Sequence, residues 1–148
     1  MGGLIVEYEK IQDRIWQFSK YYSEMITTSV RLNEIGESYA ALLILFNTME
    51  LLFKSVRQRD DTNLVNDIMW LKDNGYITDE DFSFLNDKNT GIRDLRNKMT
   101  HKDCYEYCIE MNEKAYPFAD KETWDMMFEL IFAPLLLIFY KVVCHTNE

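Results

Sequence analysis

Turn-forming residues are scarce in this chain. Five glycines and two prolines in 148 residues are too few for an all-β fold, which needs a turn every few positions, and they suit long helices. Cysteine is scarce too. Cys104, Cys108 and Cys144 are an odd number, which fits reduced thiols in a cytoplasm better than a paired disulfide framework. The first residues, Met1 to Glu7, lack the basic region and apolar run of a secretion signal, so a cytoplasmic location is expected. The longest apolar run, Leu130 to Tyr140, lies between Glu129 and Lys141 and contains Pro134. It is shorter than the roughly 20 residues a membrane span needs, so it reads as core and no membrane partner is expected. Net positive charge is also missing: at −9 the chain is not a general nucleic-acid coat.

What the chain does contain is apolar surface. Hydrophobic residues make up 47% and aromatics 14%, enough to pack one core, and the length suits one domain over residues 1–148. The charge is unevenly placed. Lys88 to Lys102 holds Lys88, Arg93, Arg96, Lys98 and Lys102 against Asp94, a balance of +4. The other 133 residues therefore carry −13. An acidic body with a basic island suits a compact anionic ligand better than an extended groove.

Periodicity points to an all-α fold, an up-and-down bundle of about five helices. Ile11, Ile15, Phe18, Tyr22, Met25 and Ile26 recur at helical spacing, predicting one long helix from Leu4 to Leu32. Ser38 is a suitable N-cap for a nearly all-apolar helix to Arg59, which belongs at the centre of the bundle. Asp60-Asp61-Thr62 is expected to cap a third helix, closed by Asn74-Gly75. Thr78 to Asp81 has the form of a capping box, and a break at Asn89-Thr90-Gly91 precedes a helix over Ile92 to Thr100. From Cys104 to Phe118 the apolar residues alternate, as in a strand, so a small β-hairpin or extended arm is expected there, turning at Asn112-Glu113-Lys114. Asp120 caps a last helix, Lys121 to Cys144, that Pro134 is expected to kink.

Two sets of polar residues stand out on this apolar frame. On the helix from Ile92, the positions Ile92, Leu95 and Met99 make a buried stripe, which leaves Arg93, Arg96, Asn97, Thr100 and His101 on the other side. Asn97 and His101 are four apart, so the amide is placed to orient the imidazole. On the central helix, Asn47, Glu50, Lys54 and Arg57 form one polar stripe. Buried carboxylate and ammonium groups need partners. Glu50 has two candidates, Lys54 at i+4 and Arg96 from the neighbouring helix. The bland reading of this stripe is a structural ion-pair network. A zinc site from His101, Cys104, Cys108, Cys144 and His145 is the rival chemistry, but the spacing contains no C-x2-C pair. The cysteines read instead as small buried or half-buried thiols, and no metal and no cofactor is expected.

The segment Arg96-Asn97-Lys98-Met99-Thr100-His101 resembles the R-x(4–6)-H signature of the HEPN superfamily, and Glu50-Leu51-Leu52-Phe53-Lys54 resembles its E-x3-K element. The order of elements from Ser38 to His145 is similar too. Asp103 departs from the tyrosine that members paired with small nucleotidyltransferases often carry two residues after the histidine.

The resemblance implies a metal-independent endoribonuclease, toxin-like or defence-associated, with its site at a homodimer interface. Arg96 would hold the phosphate and His101 would move protons. Asn97 would orient His101, and Glu50, Lys54 and Asn47 would support. Arg93, Lys98 and Lys102 would contact RNA. An antitoxin or neighbouring regulatory protein is an implied partner. The alternatives are a HEPN-like module without catalysis that dimerises or binds a nucleotide or partner, and an unrelated helical interaction domain.

Overall fold

The computed structural model describes residues 2–88 and 90–146, with side chains from residue 7 onward. Asn89, expected at the break before the Arg/His helix, lies outside the described residues. The chain is mostly helical. Its elements run α1 (Gly2–Phe18), α2 (Lys20–Glu34), α3 (Ser38–Arg57), α4 (Leu64–Asp73), α5 (Asp79–Asn86), α6 (Ile92–Met99), β1 (Cys108–Met111), β2 (Lys114–Pro117) and α7 (Lys121–His145). Seven α-helices among the described residues thus replace the expected five or so.

The first difference is at Ser19. The predicted Leu4–Leu32 helix is two helices, because Ser19 adopts an extended backbone (φ −159°, ψ 116°) and the chain folds back on itself. Gln12 locks the hairpin: its amide nitrogen donates to the Ser23 carbonyl at 3.3 Å and to Thr27 Oγ1 at 3.2 Å, and the Ser23 hydroxyl donates to its Oε1 at 2.9 Å. Apolar spacing alone cannot reveal such a break, since both halves keep the same period.

α3 is the centre. It packs against α2, α4 and α7, and Leu42, Leu45, Phe46, Met49, Leu52 and Phe53 have almost no exposed surface. The close approach of α2 to α3 is secured by Ser29, buried, whose hydroxyl donates to the Ala41 carbonyl at 2.7 Å. α3 ends at Gln58, which takes a left-handed conformation (φ 61°), short of the expected Arg59. α4 is capped by Asn63 rather than by the Asp60-Asp61-Thr62 run, its side chain accepting from the Asn66 amide at 2.9 Å. The capping box at Thr78 and Asp81 forms in both directions.

The strand pattern after Cys104 resolves into a 3-10 turn, Cys104–Glu106, and an antiparallel hairpin in which Ile109 faces Tyr116. Asn112 (φ 52°) and Glu113 (φ 65°) make its turn, the left-handed pair that matches the twist of a two-residue hairpin. α7 runs on through Pro134 for 25 residues. By length and composition alone, α3 and α7 are both apolar enough to cross a membrane, which corrects the expectation that no segment reaches that length. In this fold about half of each such window is buried, and the buried apolar side chains of both helices belong to one contiguous cluster.

Candidate functional site

α6 places the basic residues. It starts at Gly91, where the backbone passes so near Asp87 that a Cβ would lie 2.6 Å from the Asp87 amide nitrogen and carbonyl oxygen. Ile92, Leu95 and Met99 are buried as their spacing predicts. Arg96 is thereby turned toward α3, where Glu50 meets it in a fork: Nε donates to Oε2 at 3.1 Å and Nη2 donates to Oε1 at 2.5 Å. Both side chains are partly exposed, 33% for Arg96 and 20% for Glu50. Nη1 donates to Asn97 Oδ1 at 3.0 Å. An arginine has five N–H donors, so two remain without a partner among the described residues, on the nitrogens that carry the charge.

His101 lies outside the helix that was expected to carry it. α6 ends at Met99, and the Tyr39 hydroxyl caps that end by donating to the Met99 carbonyl at 3.0 Å. Burial pushes the Tyr39 phenol above its ordinary pKa, with the Cys104 thiol adding to the effect, so the group remains a donor. The chain then turns, and Nδ1 of His101 accepts from the backbone amide of Asp103 at 3.2 Å. The exposed imidazole rests beside Tyr107, ring centres 5.6 Å apart. Asn97 therefore does not orient His101: its amide oxygen serves Arg96. The i, i+4 relation fails because the helix stops two residues before the histidine. A neutral His101 whose Nδ1 accepts carries its proton on Nε2.

The polar stripe of α3 divides. Glu50 serves Arg96, whereas Lys54 and Arg57 turn to α4 and share the Asp67 carboxylate at 3.0 Å and 3.1 Å. The Thr62 hydroxyl also donates to Asp67, at 2.5 Å, and Lys54 donates to the Thr62 carbonyl as well. Glu50 and Lys54 are thus two separate pairs in place of one. Asn47 is exposed and joins neither. Asp67, 1% exposed, is the residue that sequence reasoning missed, yet it had a signal. It falls on the buried stripe Leu64, Asp67, Ile68 and Leu71, where a carboxylate requires a cation.

The expected RNA contacts differ in availability. Arg93 Nε donates to Asn86 Oδ1 at 2.7 Å, Lys98 pairs with Asp94 at 2.9 Å, and Lys102 is exposed. Cys104 and Cys144 are half-buried as read, but Cys108 is exposed on the hairpin. Among the described residues no group of three or more His, Cys, Asp or Glu side chains is arranged to hold a metal ion. No family model, no curated protein and no solved structure matches this chain.

Proposed function

We propose that this protein is a metal-independent endoribonuclease of the HEPN type, its helices forming an up-and-down bundle around α3 and its site completed by a second copy of the chain. The observation that carries the reading is Arg96: a guanidinium forked onto Glu50, with two N–H donors left over, at the head of a turn that presents an exposed histidine. A fork of that kind fixes the plane of the charge, which is what a phosphate passing through a crowded intermediate needs.

In the reaction the ribose 2′-oxygen loses its proton and attacks phosphorus, and the bond from phosphorus to the 5′-oxygen breaks as that oxygen gains a proton. With Nδ1 occupied by the Asp103 amide, neutral His101 offers an Nε2 hydrogen to a phosphate oxygen. To accept a proton at Nε2 the ring must release that amide and carry its own hydrogen on Nδ1 instead. Two copies of His101, one accepting and one donating, divide the work of base and acid. Lys102, Lys98 and Arg93 then form the approach for RNA, with Lys98 and Arg93 exchanging Asp94 and Asn86 for phosphate. Cytoplasmic RNA is the substrate, and a neutralising protein partner is part of the same reading.

The test is incubation of the protein with RNA in EDTA. The expected products carry 2′,3′-cyclic phosphate and 5′-hydroxyl ends, DNA is untouched for want of a 2′-hydroxyl, and Arg96→Ala or His101→Ala abolishes cleavage. Arg96→Lys is also poor, since an ammonium keeps the charge but loses the fork. Cleavage that needs magnesium, or that survives loss of His101, sinks the mechanism. One observation favours the second reading, a non-catalytic binding module: Nδ1 of His101, the nitrogen that carries the lone pair when the hydrogen is on Nε2, is already engaged by the Asp103 amide. Absence of cleavage together with RNA or nucleotide binding lost in Arg96→Ala would select it.

A further inference from the structure

A second hollow among the described residues lies away from Arg96. It is a groove of about 640 Å³ between α6, β1 and α7. The larger part of its wall is apolar, with Leu95 from α6, Ile109 and Met111 from β1, Phe118 from the end of the hairpin, and Leu130 and Ile131 from α7. Leu130 is 46% exposed beside it. A volume of this size with such a lining is that of a small-molecule site. Water alone leaves the apolar wall uncovered.

Charge at the rim sets the kind of ligand. Three charged residues line the groove: Asp94, Lys98 and Glu110. Asp94 and Lys98 neutralise each other through their 2.9 Å bridge. Glu110, exposed on β1, has no ion pair among the described residues. The unmatched charge at the mouth is therefore one carboxylate, and its complement is a cation attached to an apolar body.

The groove also connects to His101. The residue that precedes β1 is Tyr107, whose ring stacks at an angle against His101 on one side and stands edge-on to Phe118, 5.8 Å away, on the other. Phe118 is a wall of the groove, and its amide donates to the Tyr107 carbonyl at 2.9 Å. A ligand pressing on Phe118 and Ile109 thus bears directly on the ring that supports the imidazole.

We propose that this groove binds a small amphiphile with an ammonium head and an apolar tail, and that its occupancy moves His101 through Tyr107. The site stands on its own lining; only the consequence for RNA cleavage rests on the ribonuclease reading. The probe is an n-alkylammonium series, with chains too short to form micelles, titrated into the full chain and followed by calorimetry and by amide and imidazole NMR. Saturable binding is expected, tightening about fourfold with each added methylene until the groove is filled. Shifts should fall on Ile109, Met111, Leu130 and the His101 imidazole. The matching alkanols should bind about fivefold more weakly, the alkanoates more weakly still, and Glu110→Gln should bring the ammonium series down to the alkanols. Leu130→Trp, which fills an exposed wall, should block all three.

No saturable binding, or binding indifferent to head group and to Glu110→Gln, overturns the site. Binding that leaves the His101 signals unmoved overturns the link to His101. If the amphiphile binds as expected but no RNA is cleaved, the ribonuclease reading falls and the site stands. Cleavage without amphiphile binding gives the reverse.

Discussion

Two carboxylates hold the polar interior together, and their environments rank them. Asp67 is 1% exposed and answers both Lys54 and Arg57, whereas solvent reaches the fork of Glu50 and Arg96. Asp67→Ala leaves two cations without a counter-charge in a buried place and should cost about 3–5 kcal/mol. Glu50→Ala leaves an arginine that water can hydrate and should cost about 1–2 kcal/mol. Urea denaturation of the two variants checks the order, and equal losses would contradict it. On the proposed ribonuclease reading Glu50→Ala should nevertheless harm RNA cleavage more, since it frees the guanidinium to rotate while Asp67 touches neither Arg96 nor His101.

A third carboxylate gives a pH dependence. Asp125 is held below the ordinary carboxylate range first by the Ser38 hydroxyl, 2.6 Å away, and then by Lys121. A lowered folded pKa means that its contribution is complete above the unfolded value, near 4, and is lost as pH falls through the folded one. Melting temperature measured from neutral pH downward should therefore fall less steeply below pH 4 in Asp125→Asn than in the parent. The side chain is well exposed, so the effect is small.

Among the elements, the caps and turns separate what local chemistry can announce from what it cannot. Thr78 and Asp81 are a capping box by composition, and they form one. Asn74-Gly75 closes α4 as read, with Gly75 at φ +77°. Gln58 at the end of α3 and Glu113 in the hairpin also sit at positive φ, but nothing in their side chains says so. The surrounding packing imposes the conformation on residues that resist it. Both Gln58→Gly and Glu113→Gly should consequently raise stability, by about 0.5–1 kcal/mol each. Gly91 is the opposite case. A methyl group there meets the Asp87 backbone at 2.6 Å, so Gly91→Ala should shift the start of α6, lower the melting temperature and reduce cleavage together. An unchanged melting temperature would show that the turn yields.

For the whole molecule the proposed reading turns on pairing. A net charge of −9 with a basic island around Arg96 leaves a patch that repels itself unless Glu50 and a bound anion balance it. The proposed composite site requires two copies. Light scattering at micromolar concentration should give the mass of a dimer, and a strict monomer would count against division of acid and base between two histidines. On the proposed ribonuclease reading cleavage should also weaken as salt rises, since Lys98, Lys102 and Arg93 would meet phosphate at the protein surface.

Local pattern was sufficient for the helical class, the central place of the residues around Phe46, the capping box, the hairpin and the burial of Ile92, Leu95 and Met99. Each follows from period, composition or a cap within a few residues. It was not sufficient where the outcome depends on a partner far along the chain. Glu50 had two candidate cations, and only the placement of α6 by the fold brought Arg96 to it in place of Lys54. Lys54 in turn went to Asp67, a residue on another helix. The break at Ser19 depends on α1 folding back to bury its stripe, and the stop at Met99 on a tyrosine sixty residues earlier, Tyr39. Helical period is a short-range property that sequence carries directly, whereas the choice among several charges of the right sign is made by distance, and distance exists only once the chain has folded.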